Sequence, residues 1–186
     1  KSVLMGDKTT TRMKIFLIGY MGCGKSSLGR RLAKRAGMRF VDMDSEIEQR
    51  EGASISDIFR FEGEDYFRRK ERELIEGLAG EGDDMVISTG GGAPAWGDNM
   101  SRMNDAGMTV YLRRTPQQIA SRLSPHGRQK RPKLRGLNDE ELVAFMTANM
   151  AEREPFYSQA RLCVDCADRS DDELIEFILS KCRGDE

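Results

Sequence analysis

Residues Gly19-Tyr20-Met21-Gly22-Cys23-Gly24-Lys25-Ser26 fit the spacing G-x-x-x-x-G-K-[ST] and directly follow a short apolar run, Lys14 to Ile18. A run of that length and composition suits a strand inside a parallel sheet. Beyond the glycines, Leu28, Leu32 and Ala36 recur at helical spacing, and Gly37 supplies a stop. Strand, glycine loop and helix are the context in which this motif cradles phosphates. Small residues let backbone N–H groups wrap an anion, and the helix N-terminus adds partial positive charge. Lys25 then reaches the β- and γ-phosphates and the Ser26 hydroxyl holds Mg²⁺. The chain is expected to bind a nucleoside triphosphate.

With 186 residues, one α/β domain with its own core is expected, covering 13–186. Residues 1–12 are polar and read as a loose extension or an expression remnant outside the fold. Thirty Lys and Arg balance thirty-one Asp and Glu, a net charge of −1, which argues against a nucleic-acid or membrane-surface protein. No apolar run approaches a membrane span and no secretory pattern opens the chain. Cys163 and Cys166 have metal-ligand spacing, but a second ligand pair is missing and His126 is the sole histidine. The segment 162–165 reads better as a last core strand. Reduced cysteines in a cytoplasmic enzyme fit this pattern, and a monomer is expected.

Five apolar runs, 14–18, 39–42, 85–89, 109–112 and 162–165, alternate with helical patterns, which predicts a parallel sheet between helix layers. Between the second and third runs lies a long helical insert, about 45–79. Ser45-Glu46-Ile47-Glu48 resembles a capping box opening its first helix, and Gly63 separates a short helix from a longer one. A parallel crossover needs only one helix, so the surplus is a candidate substrate-binding subdomain. Residues 124–136 hold two prolines, two glycines and five Lys or Arg. They read either as a solvated loop or as a mobile cationic lid that closes over phosphates. Helix is expected again from Asp139 to Arg153.

Asp42 and Asp44 lie at the carboxyl end of the second strand, the edge where open α/β sheets bind ligands. Alternation along extended chain would send both carboxylates to one side, one toward Mg²⁺ and the other toward an acceptor hydroxyl. Asp44 is a candidate general base or hydroxyl-orienting group. Gly90-Gly91-Gly92 after the third strand permits close backbone approach to a ligand, and Ser88 can support the metal's water shell. Arg68 and Glu71 share a helix face, as a plain surface pair or as a guanidinium fork for a carboxylate held by its glutamate. Arg153 is a candidate second cation for the same anion.

The P-loop, Asp42-x-Asp44, Phe67-Arg68-Arg69-x-Glu71, Gly90-Gly91-Gly92-Ala93, Arg131-Pro132 and Arg153-x-Pro155-x-Tyr157 occur in that order. Together they resemble the shikimate kinase family, from about Met13 to the C-terminal helix. The resemblance implies a three-layer P-loop fold with sheet order 2-3-1-4-5, and ATP-dependent phosphorylation of the shikimate 3-hydroxyl in aromatic amino-acid biosynthesis. It also implies site roles. Gly22, Cys23, Gly24, Lys25, Ser26 and Ser27 would hold the ATP phosphates, with Ser26 and Asp42 serving Mg²⁺. Asp44 would face the reacting hydroxyl. Arg68, Gly90, Gly91, Gly92 and Arg153 would bind shikimate, with Glu71 behind Arg68, and Phe59 and Phe67 would line the ring's apolar side. Arg131 would reach the transferring group, Arg122 would stack on adenine and Arg169 would lie near the base. Lys133 and Ser27 depart from the usual leucine and threonine.

The alternatives are another P-loop small-molecule kinase, such as a gluconate kinase, and a non-catalytic ATP-binding module. The paired arginines favour an anionic acceptor, and the triple glycine favours a ring over an open-chain sugar acid. An intact Lys25, Ser26 and Asp44 argue for catalysis.

Overall fold

The computed structural model describes residues 12–184, so the expectation for the N-terminal extension lies, except for Arg12, outside the described residues. Five strands, β1 Lys14–Ile18, β2 Arg39–Asp42, β3 Met85–Ser88, β4 Met108–Arg113 and β5 Leu162–Asp165, form one sheet in the order β2-β3-β1-β4-β5. Every pairing is parallel. Ile15, Phe16, Leu17 and Ile18 are wholly buried because β1 has a strand on either side and helices over its faces. The edge strands show the opposite economy: of β5, only Val164 is buried.

Helix α1, Lys25–Ala36, packs on β1, β2 and β3 and against the C-terminal helix α9, Asp171–Arg183. Its Leu28 and Leu32 face the sheet, and Gly37 ends it at φ 68°. Arg31 and Arg35 pair with Asp171, Asp172 and Glu176 across the α1–α9 seam, at the protein surface. Exposed pairs of this kind fix orientation more than they add stability. Among the described residues no helix is long and apolar enough to cross a membrane.

The insert between β2 and β3 comprises α2 Met43–Glu51, α3 Ile55–Phe61 and α4 Glu64–Gly80. Its first helix begins three residues earlier than the Ser45 capping pattern predicts. Asp42 is the N-cap, accepting the Ser45 N–H at 3.2 Å. Asp42 caps as well as a serine does, and starting there places Asp44 and Glu46 in the first turn, against the helix's positive end. Asp44 is therefore helical, and the extended-chain alternation does not apply to the Asp42–Asp44 pair.

α5, Asn99–Ala106, lies against β4 and α4. α6 Pro116–Arg122 leads into the 124–136 segment, which is not structureless. Ser124 caps a short helix, α7 Pro125–Gln129, by accepting the Gly127 N–H at 3.0 Å. A 3₁₀ turn then covers Pro132–Leu134 and buries Leu134. α8, Asp139–Tyr157, runs four residues past the expected Arg153 and takes Pro155 into its last turn, where the lost N–H costs one bond. β3 ends at Ser88, one residue short of the expected strand. Thr89 still bonds to the carbonyl of Leu17 through both its N–H and its hydroxyl.

Candidate active site

The carboxyl ends of β1, β2 and β3 open onto a cleft of about 600 Å³. Its lining includes Met21, Gly22, Gly24, Lys25, Ser26, Ser27, Asp42, Asp44, Ser88, Thr89, Gly91, Arg122, Leu123 and Arg131. Gly24 sits at φ 99°, a left-handed conformation that turns the loop into α1. Lys25 is nearly buried and folds back on the loop, donating to the carbonyls of Gly19 at 2.7 Å and Tyr20 at 2.9 Å. A phosphate entering the loop must offer the ammonium better acceptors than these two neutral oxygens, and its charge does so. Cys23 does not line the cleft. Its side chain is buried beneath the loop, against the Gly19 backbone, and its N–H donates to the Tyr20 carbonyl at 3.2 Å.

The Ser26 hydroxyl donates to the Asp42 carboxylate and lies 3.1 Å from the Ser88 hydroxyl. Three hard oxygen donors thus meet beside Lys25. Mg²⁺ takes few protein oxygens and keeps several waters, so this donor set suits it.

Asp44 opens onto the cleft from the first turn of α2. Protein crowding pushes its carboxyl above the ordinary range, the Asp42 charge adds to this, and Lys25 and Arg68 pull it down. Glu71 differs. It is fully buried on α4, accepts from Arg68 Nη1 at 2.5 Å, and leaves Oε1 without a hydrogen-bond partner. Burial therefore outweighs Arg68 and pushes its carboxyl up to about 7.

The three glycines after β3 are where the acceptor side is built. A Cβ on Gly90 would collide with Glu71 Oε1 and sit 3.1 Å from Asp44 Oδ1. A Cβ on Gly92 would collide with the Arg68 guanidinium, and one on Gly91 would lie 3.4 Å from Arg153 Nη1. The glycines thus admit two carboxylates and two guanidinium groups against bare backbone. Arg68 is not a free surface cation: Glu71 and Glu64 hold it, and its guanidinium lies 5.5 Å from the Phe67 ring centre. Phe59 and Phe67 stack with centroids 4.9 Å apart, beside it.

On the nucleotide side, Arg122 and Arg131 both reach the cleft. Arg131 Nη1 donates to the Gly127 carbonyl at 2.6 Å, which ties it to the short helix before it. Arg169 stands apart. It stacks 4.1 Å over Phe177 of α9 and lines a separate hollow with Arg113, Asp165 and Asp168, so it does not belong to the cleft in this conformation. Cys163 of β5 is exposed, whereas Cys166, just past the strand's end, is buried. Among the described residues no group of three or more His, Cys, Asp and Glu side chains is placed to hold a metal.

Sequence reasoning missed four supports. Arg114 donates to the carbonyls of Cys23 at 3.0 Å and Cys166 at 3.3 Å, bolting the P-loop to the end of β5. Tyr157 donates to the Gly91 carbonyl at 2.5 Å, Tyr111 to Glu154 at 2.7 Å, and Tyr20 to Asn149 at 2.9 Å. The order of motifs held only Tyr157, without its partner.

Comparison with known proteins points one way. The sequence model of the shikimate kinase family matches residues 21–183. A shikimate kinase from Parabacteroides distasonis is 45% identical over 152 residues, 82% of this chain and 87% of its own length. The crystal structure of shikimate kinase from Bacteroides thetaiotaomicron superposes with a TM-score of 0.83 at 38% identity, covering 92% of this chain and 98% of that one. Shikimate kinase from Acinetobacter baumannii in complex with shikimate gives 0.82 at 31% identity, covering 95% and 96%. A gluconokinase from Sinorhizobium meliloti, at 16% identity and a TM-score of 0.53, shares the fold alone.

Proposed function

The chain belongs to the shikimate kinase family, and from that premise we propose how its cleft moves the γ-phosphoryl group of ATP to the shikimate 3-hydroxyl. The enzyme is a phosphotransferase acting on an alcohol group, and the reaction yields ADP and shikimate 3-phosphate. The single observation that carries the residue assignment is the meeting of Arg68 and Arg153 on Gly91 and Gly92, beside the P-loop. Two cations there match a carboxylate, and a planar guanidinium fork recognises one bidentately.

Shikimate lies with its carboxylate between Arg68 and Arg153, its ring against Phe59 and Phe67, and its 3-hydroxyl toward Asp44. Gly90 admits Asp44 and Glu71 to this pocket. The loop amides from Gly22 to Ser27 hold the β- and γ-phosphates, and Lys25 leaves the loop carbonyls to neutralise charge on the transferring group. Ser26 and Asp42, with Ser88 behind them, would hold Mg²⁺, which when bound supplies charge compensation between the β- and γ-phosphates. Asp44 orients the hydroxyl and takes its proton late, because a loose transition state needs little early abstraction. Its raised carboxyl makes it a stronger base than an ordinary aspartate. Arg131, from the segment 124–136, adds charge at the transferring group as that segment closes, while Arg122 lies along the nucleotide. Arg169 reaches the base only by leaving Phe177.

An acceptor panel with coupled ADP detection tests this reading. Turnover of shikimate and none of gluconate is expected. The reverse order would transfer the assignment to a sugar-acid kinase, and binding of ATP without transfer to any acceptor would make the chain a nucleotide-binding module.

A further inference from the structure

Tyr20 belongs to the glycine loop, yet its side chain makes no use of the phosphate side. It is 1% exposed, and its hydroxyl donates to Asn149 Oδ1 at 2.9 Å, across 129 residues of sequence. Its ring lies 5.4 Å from the Arg153 guanidinium carbon. Asn149, Arg153 and Tyr157 fall at four-residue intervals on α8, so they stand on one helix face. The outer two are each tied to a loop at the sheet edge, Asn149 to Tyr20 and Tyr157 to the Gly91 carbonyl. Arg153 is the middle rung. Its long side chain forms no salt bridge among the described residues, although the buried Glu71 carboxyl feels its charge. Near Gly91 the Arg153 head lies against the face of Tyr20, the Tyr157 side chain and the glycine backbone.

We infer that Tyr20 is a positioning residue for the acceptor: its ring supports Arg153 and its hydroxyl fixes the turn of α8 that carries Arg153. A guanidinium resting on an aromatic face keeps its N–H groups free for a carboxylate while losing part of its rotational freedom in advance. The backbone of the same residue accepts from Lys25, but a side-chain substitution leaves that carbonyl in place. The effect should therefore fall on the acceptor and spare the nucleotide. The inference rests on the shikimate reading above and names a residue that reading does not use.

The test measures initial rates against shikimate and against ATP for wild type, Tyr20→Phe, Tyr20→Leu and Asn149→Leu, and repeats them with shikimate methyl ester, which lacks the charge. Tyr20→Phe and Asn149→Leu each remove one hydrogen bond and should raise the KM for shikimate about fivefold, with the double variant no worse than either alone. Tyr20→Leu also removes the ring and should raise it about twentyfold, while the KM for ATP moves less than about twofold in every case. With the neutral ester, the variants should match wild type, because Arg153 then has no anion to meet. Parallel rises in both KM values, equal losses on ester and acid, or unchanged KM values would each overturn the inference. Should Tyr20→Leu fail to fold, Tyr20→Phe and Asn149→Leu still decide. A wild type inert toward shikimate removes the acceptor assignment and this inference together; an active wild type with indifferent variants removes only the role of Tyr20.

Discussion

Glu71→Gln should change how stability responds to pH, and the size of the change follows from where Glu71 sits. The carboxyl is fully buried, bonded through one oxygen to Arg68 and through the other to nothing. Its folded-state pKa lies near 7, against an ordinary value of 4.5. Between those values the folded protein keeps a proton that the unfolded chain has released, so stability must fall as pH rises through the window. The contribution is fully present below the ordinary value and gone above the folded one. At about 1.4 kcal/mol per unit, the fall amounts to roughly 3 kcal/mol. Glutamine keeps the shape and the acceptor for Arg68 and carries no titratable proton. Urea unfolding of wild type and variant, followed through the single tryptophan, Trp96, isolates this one group when the two stabilities are subtracted at each pH from 5 to 8. The difference should tilt by about 2–3 kcal/mol toward the glutamine variant on going from acid to neutral. Two parallel stability curves would mean that water or Arg68 compensates the carboxylate fully, and the desolvation argument would be wrong.

Arg68→Ala should lower kcat/KM for shikimate by about 2–5 kcal/mol in transition-state terms, with ATP affinity retained, because it removes one arm of the carboxylate clamp. Unchanged shikimate kinetics would contradict that. Gly92→Ala places a methyl group into the Arg68 guanidinium, so shikimate KM should rise at least about tenfold while the fold survives, as judged by circular dichroism; a wild-type KM would show that the guanidinium has room to move. Lys25→Ala should cut kcat by a factor of about a hundred or more through lost charge stabilisation, and near-normal turnover would exclude Lys25 from the transition state.

The parts of the fold legible in the sequence are those governed by short-range pattern. The P-loop, the apolar strands and Gly37 all act within a few residues, and all lie within one residue of where expected. The parallel order 2-3-1-4-5 came from family resemblance and matches the sheet. Where two local signals competed, pattern alone was not decisive: Asp42 and Ser45 both suit an N-cap, and the acidic residue three positions earlier prevails. Ser124-Pro125 is a helix-start signal that the reading of 124–136 as loop or lid did not use. Contacts between distant residues left no trace. Nothing near Tyr20 announces Asn149, and nothing near Cys23 announces Arg114, because each bond depends on how α8 and β4 settle on the sheet edge. Arg169 shows the converse, a residue assigned to the base that finds a nearer aromatic partner in Phe177 of the helix that follows it, α9.

The central claim is that one sheet edge brings a triphosphate and a cyclic hydroxy acid close enough to exchange a phosphoryl group. Phosphorus NMR of the purified enzyme with MgATP and shikimate addresses it without a coupling system. One new phosphomonoester signal, coupled to the proton on shikimate carbon 3 and growing in step with ADP, is the expected result. ATP lost only to inorganic phosphate, or left intact while shikimate is bound, would contradict the account.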